Sequence, residues 1–226
     1  MYSLFKHKTS KQFHYIEKYF TDNEVEKIIR HTEDVKFSEA QIGGPNEERV
    51  SVKKGFSQHV KETSGVRESK RRTNIKWIEV TEDNEWLYDK IIACVHDANN
   101  YNFGFILQSI EVLQFGSYDS KDLGFYGKHK DIYPHHRKEV NMSNLRKLSV
   151  SVQLSDPSEY EGGDLILYPE IEASMKSYHE KDNHYIMPKS KGTIIFFESD
   201  SLHEVTPVTG GNRKSLVTWI NGPNFR

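Results

Sequence analysis

The sequence predicts a mainly β protein with flanking helices, an antiparallel sandwich or barrel resting on an amino-terminal helical support. Two observations carry this. The carboxy-terminal half holds a series of short apolar runs with strand periodicity, separated by glycine-containing turns. The first half holds two segments whose apolar residues recur at helical spacing.

Taken in chain order, Thr21-Asp-Asn-Glu24 is a capping-box pattern, with Phe20 and Val25 placed as a hydrophobic staple. Val25, Ile28 and Ile29 mark one apolar face of a helix running to about residue 34. Residues 41–72 begin Gln41-Ile-Gly-Gly-Pro45 and are polar, rich in charge and without periodicity. They fit a solvated surface excursion or a mobile lid over a substrate. Within them Lys70-Arg71-Arg72 could serve an acidic substrate, although three cations at the start of a strand are ordinarily solvated. A second helix is expected from near Asp83, with Leu87, Ile91, Val95 and Ala98 on one face and Asn99-Asn100 ending it. Lys147-Leu-Ser-Val-Ser-Val-Gln-Leu154 alternates apolar and polar residues, the pattern of a half-buried strand. Tyr160-Glu-Gly-Gly-Asp164 turns into the apolar run Leu165-Ile-Leu-Tyr168. Lys191-Gly-Thr-Ile-Ile-Phe-Phe-Glu198 is a short, continuous apolar strand. Arg213-Lys-Ser-Leu-Val-Thr-Trp-Ile220 alternates again and sets Arg213, Ser215, Val217 and Trp219 on one face.

Composition narrows the function classes. At 226 residues the chain suits one large domain, taken here as 1–226, with 1–100 as support and 101–226 as the β core. A net charge of −2 gives no global attraction to nucleic acid or to an anionic membrane. No apolar run approaches the length that spans a bilayer, and the first residues hold no hydrophobic stretch of signal-peptide length. Cys94 is the single cysteine and sits in an apolar helical pattern, so it reads as a buried structural thiol. With no intrachain disulfide available, a reducing compartment, the cytoplasm, is the expected location.

The chemistry is concentrated in three side chains and one cation. His129 and Asp131 alternate in Tyr126-Gly-Lys-His-Lys-Asp-Ile-Tyr133, so an extended segment projects both from one face. A second strand carrying His203 opposite them would complete a facial triad of two imidazoles and one carboxylate. That donor set leaves coordination positions free and suits non-haem iron(II). Arg213, ten residues after His203, offers a planar fork for a carboxylate beside the metal. His135, His136, His179 and His184 lie in polar stretches and read as loop histidines.

Three motifs together resemble the iron(II)/2-oxoglutarate dioxygenases: Phe125-Tyr-Gly-Lys-His-Lys-Asp131, Glu161-Gly-Gly-Asp-Leu165 and His203-Glu-Val-Thr-Pro-Val-Thr-Gly-Gly-Asn-Arg-Lys-Ser215. Within that group the chain is most similar to the prolyl 4-hydroxylases, including the bacterial and phage PKHD-type proteins, over about residues 70–223. The resemblance implies a double-stranded β-helix, or jelly roll, flanked by helices. It implies His129, Asp131 and His203 as iron ligands and Arg213 as anchor of the distal carboxylate of 2-oxoglutarate. Ser215 corresponds to the hydroxyl of the family's Arg-x-Ser pattern, Tyr118 to a tyrosine that touches 2-oxoglutarate, and Tyr126 to one at the mouth of the site. Asp164 stands where the family often has Glu and reads as structural. No catalytic residue is implied beyond the metal centre. Iron(II), 2-oxoglutarate and O2 are implied as cofactor and cosubstrates, with ascorbate as reductant. The implied reaction hydroxylates an unactivated carbon while 2-oxoglutarate is converted to succinate. Trp219, assigned with Tyr126 to the substrate pocket, occupies the position where DNA-repair dioxygenases carry a second arginine. This favours a prolyl residue in a peptide or protein over a nucleobase, a free amino acid or another metabolite. A metal-binding jelly roll without catalysis is the alternative of a different class, and oligomeric state is not encoded in these motifs.

Overall fold

The computed structural model describes residues 12–33, 38–39, 70–132, 144–168 and 184–223. Most of the predicted lid region (41–69), together with His135, His136 and His179, lies outside the described residues. Strand β1 (Phe13–Ile16) leads into helix α1 (Asp22–Glu33); β2 (Ser38–Glu39), β3 (Arg71–Arg72) and β4 (Asn74–Ile78) precede helix α2 (Glu85–Ala98). The strands that follow are β5 (Ser109–Ile110), β6 (Leu113–Asp119), β7 (Phe125–His129), β8 (Asn144–Gln153), β9 (Tyr160–Gly162) and β10 (Leu165–Tyr168). The last four are β11 (Tyr185–Ile186), β12 (Ile194–Glu198), β13 (Leu202–Val205) and β14 (Val208–Pro223). They form two antiparallel sheets in the jelly-roll arrangement. The major sheet runs β1-β12-β8-β14-β6-β4-β2, with β5 and β9 also paired to β14, and the minor sheet runs β11-β10-β13-β7-β3.

The two helices are set by local signals. Thr21 and Glu24 close the capping box reciprocally: the Thr21 N–H donates to Glu24 Oε2 at 2.8 Å and the Glu24 N–H to Thr21 Oγ1 at 3.3 Å. Phe20 and Val25 are both buried, as a staple requires. Helix α2 starts at Glu85, two residues later than its apolar pattern suggests, because Asn84 spends its side chain on the Thr81 N–H and the Glu79 carbonyl. Nor does Asn99 simply end it. Asn99–Phe103 adds one π turn that closes on Gly104 in the left-handed region, and the Asn99 side chain brackets the Phe105 backbone with two 2.9 Å hydrogen bonds.

Packing explains the strand patterns. Val25, Ile28, Leu87, Ile91 and Val95 from the helices meet Phe115, Leu148, Val150, Phe196 and Leu216 on the outer face of the major sheet. A second apolar cluster, including Leu165, Ile195, Phe197 and Val205, lies between the sheets. Ile194 and Phe196 therefore point one way and Ile195 and Phe197 the other, which is why that strand reads as continuously apolar. Strand β8 departs from the sequence expectation. Its polar residues Ser149, Ser151 and Gln153 are only 2%, 4% and 2% exposed, so the strand is buried on both faces. The serines face the space between the sheets, which the alternating pattern alone presented as solvent. Cys94 is buried and its thiol is pushed up to about 11 by that burial, in keeping with a structural role. Among the described residues no helix is long and apolar enough to cross a membrane.

The capping box gives a direct test of this reading of α1. Thr21→Ala removes its hydroxyl partner and should cost about 1 kcal/mol, seen as a lower urea midpoint with an unchanged slope. No change would mean that tertiary packing alone fixes the start of the helix.

Candidate active site

The register of the minor sheet assembles the triad. Strands β13 and β7 pair antiparallel with His203 directly opposite His129. Their ring centroids stand 4.1 Å apart. Asp131 follows two residues on, its N–H and that of Ile132 both held by the Ser199 carbonyl at 2.8 and 3.1 Å. The carboxylate reaches both imidazoles: His129 Nε2 is 3.4 Å from Oδ1 and His203 Nε2 is 3.5 Å from Oδ2. The three candidate ligand atoms all lie within 4.8 Å of one another.

Both histidines are oriented in the same way. His129 Nδ1 lies 2.8 Å from the Gly127 carbonyl and His203 Nδ1 lies 2.9 Å from the Ser201 carbonyl, in each case two residues back along the strand. A carbonyl can only accept, so Nδ1 carries the proton and Nε2 presents its lone pair to the shared space. Burial depresses the His203 pKa to about 4, although the Asp131 charge opposes the shift. The imidazole is thus neutral and ready to ligate at neutral pH. Burial works against ionisation of Asp131, yet the adjacent His203 and His129 rings, which take up a proton in preference to the carboxylate, together with Arg146 hold its carboxyl far below the usual carboxylate range. Ser149 Oγ donates to Asp131 Oδ2 at 2.6 Å and lies 3.0 Å from Ser199 Oγ. A deprotonated carboxylate flanked by two imidazoles whose Nε2 atoms face it is a donor set that fits a divalent iron ion.

The triad opens onto a cavity between the sheets. Arg213, Ser215, Val217 and Trp219 of β14 line it together, as their alternation predicts. Arg213 is only 1% exposed. Its Nη1 donates to Ser215 Oγ at 3.2 Å and its Nη2 to Gln153 Oε1 at 3.0 Å, while the buried Nε has no hydrogen-bond partner among the described residues. Both partners are neutral. Tyr118 is cross-strand from Arg213, with the guanidinium carbon 5.2 Å from its ring. The Gly162-Gly163 turn makes room for this arginine: a Cβ on Gly163 would sit 2.9 Å from Arg213 Cδ. Tyr126 stacks on His129 with centroids 3.5 Å apart, and Trp219 lies beneath the Arg146 guanidinium at 3.8 Å.

Several residues in the site were not singled out by sequence reasoning. Ser149 and Gln153 looked like a solvent face, and the alternating pattern of their strand holds no signal that separates a solvent face from one that faces a site. Arg146 forms a bidentate pair with Glu111 at 2.8 and 2.6 Å and donates to the Asp131 carbonyl at 3.3 Å. Arg71 is not a solvated cation: it lines the cavity, whereas Arg72 is exposed and donates to the Asp122 carbonyl. Conversely, His184 stays outside the cluster, exposed beside Tyr168. Asp164 pairs with Lys189 at 2.8 Å, a structural role.

A family model described as the 2OG-Fe(II) oxygenase superfamily matches residues 113–221, the stretch from β6 to β14 that holds all of these site residues except Arg71. Over that stretch, just under half of its length, the chain is similar to the 2OG-Fe(II) oxygenase superfamily. Among curated proteins, a PKHD-type hydroxylase of Colwellia psychrerythraea is 28% identical over 171 residues, covering 75% of this chain and 69% of the relative. The chain spans about two fifths or less of the length of the next curated relatives, also PKHD-type hydroxylases. The fold is shared with a Pseudomonas putida prolyl-4-hydroxylase at TM-score 0.61, over 96% of this chain and 95% of that one, at 16% identity. It is also shared with a Trichoplax adhaerens prolyl hydroxylase solved with a hypoxia inducible factor peptide fragment, at TM-score 0.64 and 17% identity, over 94% and 84% of the two chains. The family match and the relatives named hydroxylases support an oxidoreductase enzyme, and the matched family implies iron(II), 2-oxoglutarate and O2.

Two predictions follow from the triad. His129→Ala, Asp131→Ala and His203→Ala should each abolish stoichiometric iron(II) binding in an anaerobic metal titration, while His184→Ala leaves it intact; retention by any of the first three would break the ligand assignment. The metal-free protein should also lose stability as pH falls from about 6.5 toward 4. Over that window the unfolded chain protonates His203 and the folded chain, with its pKa near 4, does not. The wild-type urea midpoint should therefore drop more between pH 7 and pH 5 than that of His203→Ala; parallel declines would contradict a neutral buried imidazole.

Proposed function

We propose that the enzyme hydroxylates an unactivated carbon, that of a prolyl residue in a peptide or protein, while 2-oxoglutarate is decarboxylated to succinate. The observation that carries this reading is the Arg213 guanidinium, buried beside the triad with no acidic partner among the described residues. A buried cation held only by neutral groups is costly unless an anion completes it. A dicarboxylate that reaches the metal centre with its other end would do so. His129, Asp131 and His203 would hold iron(II), which when bound supplies the activation of O2.

The chain's own residues then have distinct tasks. Arg213 pairs its fork with the distal carboxylate, Ser215 adds a neutral hydrogen bond and Tyr118 closes the pocket beside them. Ser149 steadies the Asp131 carboxylate, and Arg146 fixes the Asp131 backbone. Leu165, Phe197 and Val205 keep the cavity apolar and restrict water. Tyr126 and Trp219 form walls at the substrate side. No side chain has to act as nucleophile or general base. Trp219 in place of a second arginine, and a structural relative that carries a bound peptide, support a peptide substrate. Ascorbate would restore the reduced metal after unproductive cycles, and a reducing cytoplasm suits both the metal and the free thiol of Cys94.

The anchor assignment sets an order of effects. Losing one partner of a buried charge pair costs about 2–5 kcal/mol, so Arg213→Ala should lower 2-oxoglutarate affinity by roughly tens- to thousands-fold. Arg213→Lys should recover part of this, keeping charge without the fork, and Ser215→Ala should cost only about 1 kcal/mol. Anaerobic titration of the iron-loaded variants, read through the metal-to-ligand absorption band, checks the order; unchanged affinity in Arg213→Ala would remove the cosubstrate assignment. For the substrate, mass spectrometry of proline peptides incubated with enzyme, iron(II), ascorbate and 2-oxoglutarate should show one added oxygen on proline. Oxygen added to another residue type only would replace the prolyl reading.

A further inference from the structure

We propose that Arg71 is a substrate-binding residue that takes a carboxylate of the substrate; resting on the prolyl reading, this is an Asp or Glu side chain close to the hydroxylated proline. Strand β3 pairs with β7 so that Arg71 stands opposite Tyr126. The Arg71 guanidinium carbon lies 4.4 Å from the Tyr126 ring, and that ring stacks on His129 at 3.5 Å. The cation is therefore one aromatic ring removed from a candidate metal ligand, on the wall of the cavity.

Its hydrogen bonding is incomplete. Nη2 donates to the buried Gln114 Oε1 at 2.8 Å, whereas the buried Nε has no hydrogen-bond partner among the described residues. Nor does any described acidic side chain pair with it. Arg146 provides the contrast within the same site, since it too lies over an aromatic ring but is neutralised by both carboxylate oxygens of Glu111. Arg146 is completed by the fold. Arg71 is oriented by Gln114 and Tyr126 and keeps donor capacity for something else.

Charge balance in the loaded site favours an anion. Iron(II) and the dianionic oxo acid cancel, and Asp131 cancels Arg213. Arg146 is cancelled by Glu111, so Arg71 retains the excess positive charge of the cavity. A carboxylate there would gain a charge-assisted hydrogen bond to a preoriented fork, and a cationic group would be repelled. A cation merely solvated at the mouth would discriminate between neither.

The test uses short peptides with a central proline, scanning Glu against Gln at each neighbouring position. Calorimetry measures their binding to the protein loaded with manganese(II) and 2-oxoglutarate, and hydroxylation is measured in parallel with iron(II). At one position or more, Glu should bind about tenfold or more tightly than Gln. That ratio should fall to about one in Arg71→Gln and invert toward Lys peptides in Arg71→Glu. Comparing peptides within each variant keeps the readout independent of any change in overall activity or folding. No preference for Glu in the wild type, including no binding by any peptide, overturns the proposal. So does a preference that survives in Arg71→Gln, or an Arg71→Gln defect confined to 2-oxoglutarate affinity. Selective binding of Glu peptides without oxygen added to proline would leave Arg71 in place and remove the prolyl reading; equal binding and hydroxylation of Glu and Gln peptides would do the reverse.

Discussion

The two central strands β8 and β14 are buried on both faces, by the helices on one side and the minor sheet on the other, and this constraint decides where polar side chains can stand. Leu148, Val150, Leu216 and Ile220 take the helical side. The opposite faces carry Ser149, Ser151 and Gln153 from β8 and Arg213, Ser215 and Trp219 from β14. None of these can satisfy itself with bulk water, so each must find a partner inside. Ser149 finds Asp131, Gln153 and Ser215 find Arg213, and Arg213 is left with a charge that neutral partners do not cancel. The candidate active site is the consequence of closing a polar face under a second sheet.

The minor sheet supplies the other half. Antiparallel register sets His203 against His129, and each imidazole is locked by a carbonyl two residues earlier on its own strand. Because that lock is backbone-derived, it needs no further side chain and directs both Nε2 atoms at Asp131. The candidate metal face therefore comes from β7 and β13, and the proposed anion anchor from β14. The cavity between them is bounded by aromatic and aliphatic side chains that raise the value of every charge inside.

Much of this was legible from the chain because its signals are local. The capping box at Thr21, the alternation in β14 and the His129-x-Asp131 spacing each depend on residues within a few positions, and all three appear as expected. What failed to show depends on distant register. An alternating strand whose polar side faces solvent and one whose polar side faces a site have the same pattern, so β8 read as half-buried. Arg71 lay within a run of three cations, and its partner Gln114 is on another strand of another sheet. Arg146 is explained only by Glu111, which the fold brings to it from across β14. The π turn after α2 likewise follows from the Asn99 side chain reaching Phe105, which helical periodicity does not contain.

The central claim is that one carboxylate dianion bridges the two sheets, from the triad to Arg213. A crystal structure of the protein soaked anaerobically with manganese(II) and 2-oxoglutarate tests it most directly. The account predicts metal bound by His129 Nε2, Asp131 and His203 Nε2, with the far carboxylate of the oxo acid seated on the Arg213 fork beside Ser215. Metal bound by other side chains, or the oxo acid bound with Arg213 still held only by Gln153 and Ser215, would contradict it.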